Sequence, residues 1–81
     1  MTIRDHPRFV ICIKNVGYLA SLELRKLYEV LDDSSAEKDD MIRVIDESGE
    51  DYLYPSDMFI AAPLPAVVEE AVLHATDESA A

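Results

Sequence analysis

The sequence predicts a small, mainly β domain that ends in one short helix. Three observations predict this class: β-branched apolar stretches of strand length, a tight turn with a glycine between two of them, and helical apolar spacing near the C-terminus. The 81 residues are enough for one domain and too few for two. We expect an N-terminal arm over 1–8, a β domain over 9–62, a helix within 63–75 and a flexible tail over 76–81.

Two strands are predicted in the first half of the chain. Residues 9–14 are apolar and β-branched, and Asn15 and Gly17 end them because both tolerate a positive φ. Residues 22–31 begin with strict alternation of apolar and charged side chains. Apolar spacing over 20–31 also fits a helix, and that alternative stays open, although the elements that follow favour a strand. Residues 32–40 are predicted to form a polar loop.

A hairpin, a helical turn and a last strand are predicted next. Residues 41–46 form a strand, 47–50 a tight turn with Gly49 in the left-handed region, and 51–54 the antiparallel return, with Tyr52 and Tyr54 on one face. Pro55 should stop the ladder because it lacks an N–H, and Ser56 should cap one helical turn over 56–58. Residues 59–62 are then the fifth strand.

The C-terminal segment predicts an α-helix over 66–75. Pro65 suits a first helical turn, and the apolar residues share one face: Leu64, Val68, Ala71, Val72 and Ala75. A helix of this length is marginal alone. We therefore expect it to dock on an open edge of the β domain or to form a weak homodimer.

The order of these elements resembles an SH3-like barrel over residues 9–62. Residues 9–15 look like the first strand and the start of its long loop, residues 22–26 like the diverging stretch before the second strand, and Gly49 like the tip of the distal hairpin. Residues 54–59 are similar to the closing segment that holds the 3-10 turn. The resemblance implies a small five-stranded barrel with a 3-10 turn, followed here by the short helix. Residues 43–55 also resemble a segment of small uncharacterised bacterial proteins.

The resemblance does not extend to the groove that binds proline-rich peptides in SH3 domains. That groove needs aromatic walls. Its tryptophan falls at Asp40 or Met41, and its tyrosines fall at Ile13, Asn15 and Met58, so that only Pro55 remains. We expect no recognition of proline-rich peptides by that face.

Charge is distributed unevenly along the chain. Residues 1–28 carry a net charge of +3 and residues 29–81 a net charge of −13, which gives −10 for the whole chain. Such a balance repels nucleic acids and anionic membrane surfaces. Direct binding of nucleic acid is therefore disfavoured, and it would have to use the basic residues Arg4, Arg8, Lys14, Arg25 and Lys26.

The composition also limits the cellular compartment and the kinds of chemistry that we expect. A single cysteine, Cys12, excludes an internal disulfide, and neither a secretory leader nor an apolar run long enough to span a membrane is present, so we expect a cytoplasmic location. Cys12 within an apolar strand is expected to be a buried structural residue. The acids of 32–40 lack the spacing of a calcium loop, and there is neither a zinc-ligand cluster nor a glycine-rich phosphate loop. We expect neither a cofactor nor enzymatic activity.

The leading functional hypothesis is a protein-binding or accessory module. Its candidate surface is the hairpin, whose acids and tyrosines would face a basic partner: Asp46, Glu47, Glu50, Asp51, Tyr52 and Tyr54. The plainer interpretation of the two tyrosines is a half-buried core face with the hydroxyls in water, and Arg43 should form a cross-strand pair with Glu50 or Asp51. Two alternatives remain: a module linked to transcription or translation, and a polyanion mimic that blocks a nucleic-acid-binding protein.

Overall fold

The computed structural model describes residues 8–75, which form five strands, two short α-helices and one 3-10 turn. The strands are β1 (Phe9–Cys12), β2 (Leu27–Leu31), β3 (Met41–Ile45), β4 (Asp51–Pro55) and β5 (Phe59–Ala61). Helix α1 (Ser34–Lys38) joins β2 to β3, the 3-10 turn (Ser56–Met58) joins β4 to β5, and α2 (Ala66–Leu73) follows β5. The predicted arm and tail lie outside the described residues, apart from Arg8.

All strand pairs are antiparallel, and the strands form one sheet in the order β4-β3-β2-β1-β5. Strand β2 pairs with β1 through residues 27–29 and with β3 through Val30 and Leu31. The edge strands β4 and β5 do not pair with each other, so this sheet of residues 9–61 is not closed into a barrel. The predicted β class and five strands are confirmed, whereas the predicted closure is not.

The core is built mainly from one face of this sheet. It consists of alternate strand residues together with Leu22 of the loop before β2 and Met58 of the 3-10 turn: Val10, Cys12, Leu22, Tyr28, Val44, Tyr54, Met58 and Phe59. The rings of Tyr28 and Tyr54 each meet Phe59 edge to face. Full burial of one such apolar side chain stabilises a fold by about 1.5–3 kcal/mol, so this cluster holds the two halves of the sheet together.

The helix alternative for residues 20–31 is wrong, and the strand is shorter than predicted. Arg25 adopts φ 65°, which a helix does not allow. The Arg25 N–H donates to the Cys12 carbonyl at 2.8 Å, and the Cys12 N–H donates to the Lys26 carbonyl at 3.0 Å. These cross-strand bonds tie the segment to β1 and override its helical apolar spacing.

The prediction of a plain loop over 32–40 is also wrong, because α1 occupies part of it. Asp33 caps this helix by accepting a hydrogen bond from the Ala36 N–H at 3.0 Å, and Ala36 is buried. The burial of Ala36 and the cap from Asp33 stabilise this single helical turn, although the sequence around it is almost entirely polar.

The boundaries of three further elements differ from the predictions. Pro55 does not stop the ladder but is the last residue of β4, opposite Met41, and the 3-10 turn has no side-chain cap from Ser56. Helix α2 ends at Leu73 and has no buried residue. Its Val72 lines a shallow cleft together with Phe9 of β1.

Candidate functional site

The six hairpin residues that the sequence predicts as a binding surface do not form one exposed surface. Asp46 and Tyr54 are buried, with 6% and 3% of their surface exposed, and Glu47 and Asp51 are engaged in ion pairs. Only Glu50 and Tyr52 lie on the surface with no ion pair to a basic side chain of the described residues. Asp46 and Tyr54 thus depart from the expected exposed surface, whereas Glu47, Glu50, Asp51 and Tyr52 are exposed.

Asp46 is buried because its carboxylate organises the β3–β4 turn. One carboxylate oxygen accepts from the Ser48 N–H at 2.9 Å and from the Ser48 hydroxyl at 2.6 Å, and the other accepts from the Tyr54 hydroxyl. The Gly49 N–H donates to the Asp46 carbonyl at 2.9 Å, and Gly49 adopts φ 86°, as predicted. Every bond of this carboxylate is internal, so Asp46 is a structural residue.

The protonation of this pair follows from its environment. Burial disfavours the charged form of Asp46, but hydrogen bonds from Ser48 and Tyr54 outweigh burial and keep the pKa of Asp46 below its usual value. Burial and the bond to Asp46 raise the pKa of Tyr54 to about 12. At neutral pH the pair is therefore a carboxylate with a neutral phenol donor.

Glu47 joins the hairpin to the loop before β2. Its carboxylate lies 2.7 Å from the Lys26 ammonium and accepts from the Tyr28 hydroxyl at 2.5 Å, while the Glu47 N–H donates to the Ser21 carbonyl at 3.0 Å. The Tyr28 hydroxyl also accepts from the Glu23 N–H at 2.8 Å. The bonds from Lys26 and Tyr28 lower the pKa of Glu47, and Glu47 in turn raises the pKa of Lys26.

Arg43 links three elements on the outer face of the sheet. Its Nη1 lies 2.9 Å from Asp51 on β4, which confirms one of the two predicted cross-strand partners. Its Nε lies 2.8 Å from Asp33, the residue that caps α1, and this second partner was not predicted. The bond from Arg43 lowers the pKa of Asp33. Asp33 and Arg43 are ten residues apart and belong to different elements, so neither a helical nor a strand period relates them in the sequence.

The exposed residues beside β4 combine apolar surface with negative charge. Tyr18, Tyr52 and Leu53 are 38%, 50% and 40% exposed, and all three line a pocket of about 320 Å³ beside β4. Glu50 accepts from the Tyr52 hydroxyl at 3.3 Å, and its negative charge raises the pKa of Tyr52. We call Tyr18, Glu50, Tyr52 and Leu53 the β4-edge surface.

Tyr18 is the member of this surface that sequence reasoning missed. It lies in the loop between β1 and β2, where side chains have no strand or helix period to place them. Its ring meets Tyr54 edge to face at 4.9 Å between centroids, and the Tyr18 N–H donates to the Asn15 carbonyl at 2.8 Å. The only sequence signal was an aromatic residue directly after the Asn15–Gly17 turn.

The other candidate residues from the sequence are the buried cysteine and the basic residues, and within the described part of the chain they do not form a binding site. Cys12 is fully buried, as predicted, and burial raises the pKa of its thiol. Lys14 lies 3.6 Å from Asp57, and Lys26 pairs with Glu47, so two members of the basic patch are engaged with acids. Arg4 lies outside the described residues. Within residues 8–75, no three His, Cys, Asp or Glu side chains are grouped as metal ligands.

Three of the positions that the resemblance assigns to the SH3 groove lie in one cleft, and none of them is aromatic. Asp40, Met41 and Pro55 line one open cleft at the end of β3 and β4. Met58 does not line this cleft but is buried in the core. The cleft therefore lacks the aromatic walls on which a polyproline helix stacks.

Comparison of the chain with protein-family models, with curated proteins and with solved structures finds no match in any of the three. Among the helices of residues 8–75, none has the length and apolar character required to cross a membrane.

Proposed function

We propose that this chain is a non-catalytic protein-binding module whose β4-edge surface takes a basic segment of another protein. The observation that carries the proposal is the pocket beside β4, which is lined by the exposed residues Tyr18, Tyr52 and Leu53, with Glu50 hydrogen-bonded to the Tyr52 hydroxyl. Tyrosine and leucine supply contact area, and a polar rim excludes water from it.

Charge supports a basic partner over a neutral or acidic one. The chain carries −10, and residues 29–81, which include the whole β3–β4 hairpin, carry −13. Glu50 lies within the β4-edge surface, and the Asp51 side chain is about half exposed despite its bond to Arg43. A lysine- or arginine-bearing segment would be attracted over a Debye length of about 8–10 Å at physiological salt.

We also propose that the fold is related to the SH3-like barrel. The support is topological: β1 lies between β2 and β5, the β3–β4 hairpin follows β2, and a 3-10 turn separates β4 from β5. The proposed binding surface is nevertheless distinct from the peptide groove of SH3 domains, because it lies beside β4 and uses Tyr18, Tyr52 and Leu53.

A peptide titration tests the function. The probe is a fluorescein-labelled, acetylated octapeptide of alternating lysine and valine, and its matched control replaces every lysine with glutamate. Fluorescence anisotropy should detect binding of the lysine peptide only, and the affinity should fall as NaCl rises from about 50 to 200 mM because exposed charges are screened.

The protein variants locate the binding. Tyr52→Ala should weaken binding at least about tenfold, the usual effect of removing an aromatic anchor. Val67→Ala changes an exposed apolar side chain on α2 and should leave the affinity unchanged. Equal binding of the two peptides, or equal effects of the two variants, would contradict the proposal.

A further inference from the structure

Strand β4 is an edge strand of the sheet. It pairs with β3 on one side, and within residues 8–75 no strand pairs with its other side. An open edge offers unpaired backbone N–H and C=O groups to an incoming extended chain.

The register identifies which groups face outward. Residues of an antiparallel pair alternate between positions that bond to the partner strand and positions that bond outward. The Asp46 N–H donates to Glu50, and the Ser56 N–H donates to Asp40, which marks both ends of the hairpin as bonded positions. Counting inward from either end gives the same result: Asp51, Leu53 and Pro55 direct their backbone groups toward the open edge.

Two details agree with that assignment. Pro55 has no N–H, and it sits where a missing N–H leaves the ladder with β3 intact. Outside the β3–β4 ladder, no backbone hydrogen bond of the described residues uses Asp51 or Leu53. The available edge is therefore short and centred on Leu53, a residue that also lines the pocket of the β4-edge surface.

Building on the proposed function, we propose that the basic segment binds by strand addition, extending the sheet at the outer edge of β4. The backbone of the segment bonds to the N–H and C=O groups of Leu53 and to those of Asp51. Its side chains then alternate between the two faces of the sheet, so that every second one can reach the pocket lined by Tyr18 and Tyr52.

Charge decides between a basic segment and a second copy of this chain. Antiparallel pairing of two β4 strands about Leu53 would place Asp51 of each copy opposite Pro55 of the other, with Glu50 and Asp57 carrying further negative charge at the two ends of the shared edge. Each copy carries −10, so the approach is repulsive. A lysine-bearing segment meets the same carboxylates with the opposite sign.

The test uses the full chain and the lysine–valine octapeptide. Leu53→Pro removes the outward N–H and the leucine side chain, whereas Leu53→Ala removes the side chain and keeps the N–H. The octapeptide should bind the proline variant at least about tenfold more weakly than the alanine variant, since one backbone bond and close approach are lost. Circular dichroism checks that both variants are folded.

Amide hydrogen exchange of the wild-type chain provides a measurement that does not depend on the variants. The Leu53 and Asp51 amides should exchange rapidly in the free protein and at least about tenfold more slowly with the octapeptide bound. The Tyr52 and Tyr54 amides are the internal controls, because they face β3 and should be protected in both states.

The outcomes separate the two proposals. Binding that leaves the Leu53 amide unprotected, with equal affinities for the proline and alanine variants, would overturn strand addition and leave protein binding in place. An absence of binding overturns both. Protection of the Leu53 amide without peptide, together with a dimer in sedimentation, would identify a second copy as the occupant and overturn the basic segment.

Discussion

Replacing Asp46 with asparagine removes one negative charge from the centre of the hairpin with almost no change in volume. The Asp46 carboxylate accepts three side-chain or turn hydrogen bonds, two from Ser48 and one from Tyr54, and it is almost fully buried. A hydrogen bond to a charged acceptor contributes about 1.5–3 kcal/mol, against about 0.5–1.5 kcal/mol for a neutral one. The substitution weakens three hydrogen bonds in this way, and the lower cost of burying an amide offsets part of the loss. The free energy of unfolding should therefore fall by about 2–4 kcal/mol.

That loss is large for a domain of this size. At about 0.05–0.15 kcal/mol per residue, the 81-residue chain has a total stability of about 4–12 kcal/mol. The variant should therefore unfold about 10–25 °C below the wild type. Urea and thermal unfolding, followed by far-ultraviolet circular dichroism at pH 7, measure both quantities. Glu50→Gln is the matched control, since it makes the same chemical change at an exposed site and should stay within about 0.5 kcal/mol of the wild type.

The pH dependence gives a second, independent readout. The pKa of Asp46 is lower in the folded protein than in the unfolded chain, so its contribution is fully present above the unfolded pKa of about 4 and is lost as the pH falls through the folded value. The difference between wild type and Asp46→Asn should be constant from about pH 6 to 8 and should shrink below about pH 4. A variant as stable as the Glu50→Gln control at pH 7 would refute the assignment of Asp46 as the organiser of the turn.

Three further predictions concern other contacts. Tyr54→Phe should flatten the loss of stability between about pH 10 and 12 in an alkaline series of urea titrations. With a folded pKa of about 12 against about 10 unfolded, the Tyr54 hydroxyl contributes stability that is fully present below pH 10 and is lost as the pH rises to 12; an unchanged alkaline profile would contradict this. A double-mutant cycle of Lys26→Met and Glu47→Gln, measured as the free energy of unfolding, should give a coupling energy of about 0.5–1 kcal/mol that disappears in high salt. A coupling energy that does not depend on salt would exclude the ion pair as its source. Weak homodimerisation through α2, the alternative to docking on the β domain that the sequence leaves open, should be visible by sedimentation at high concentration and be abolished by Val67→Lys, whereas a wild type that stays monomeric would rule it out.

The strands and turns were predictable because their signals are local. Residues 41–46 are rich in β-branched side chains, and they are separated from the return strand over 51–54 by a turn in which Gly49 takes the left-handed conformation. The segment 20–31 was ambiguous because its apolar residues fit two periods. Two backbone hydrogen bonds with Cys12 on β1, together with φ 65° at Arg25, resolved the ambiguity. Such long-range bonds leave no signal in a short sequence window.

Sequence reasoning about the candidate site failed where it assumed that a charged residue beside a turn is exposed. Asp46 and Glu50 have the same charge and flank the same turn, yet one is buried and the other is not. The difference is their partners: Tyr54 and Ser48 satisfy the Asp46 carboxylate, so its burial carries no unpaired charge. Tyr18 was missed for the converse reason, since its position depends on the fold of a loop with no period.

The sequence by itself determined the β class, the hairpin and its turn, the 3-10 turn after Pro55 and the strongly acidic second half, because each follows from neighbouring residues or from composition. Only the tertiary structure decided which hairpin side chains are buried, that the β1–β2 loop brings Tyr18 beside Tyr54, and that β4 lies at an open edge of the sheet. Those outcomes depend on contacts between residues far apart in the sequence, such as Tyr18 and Tyr54, which are 36 positions apart, and such contacts form only when the whole sheet assembles.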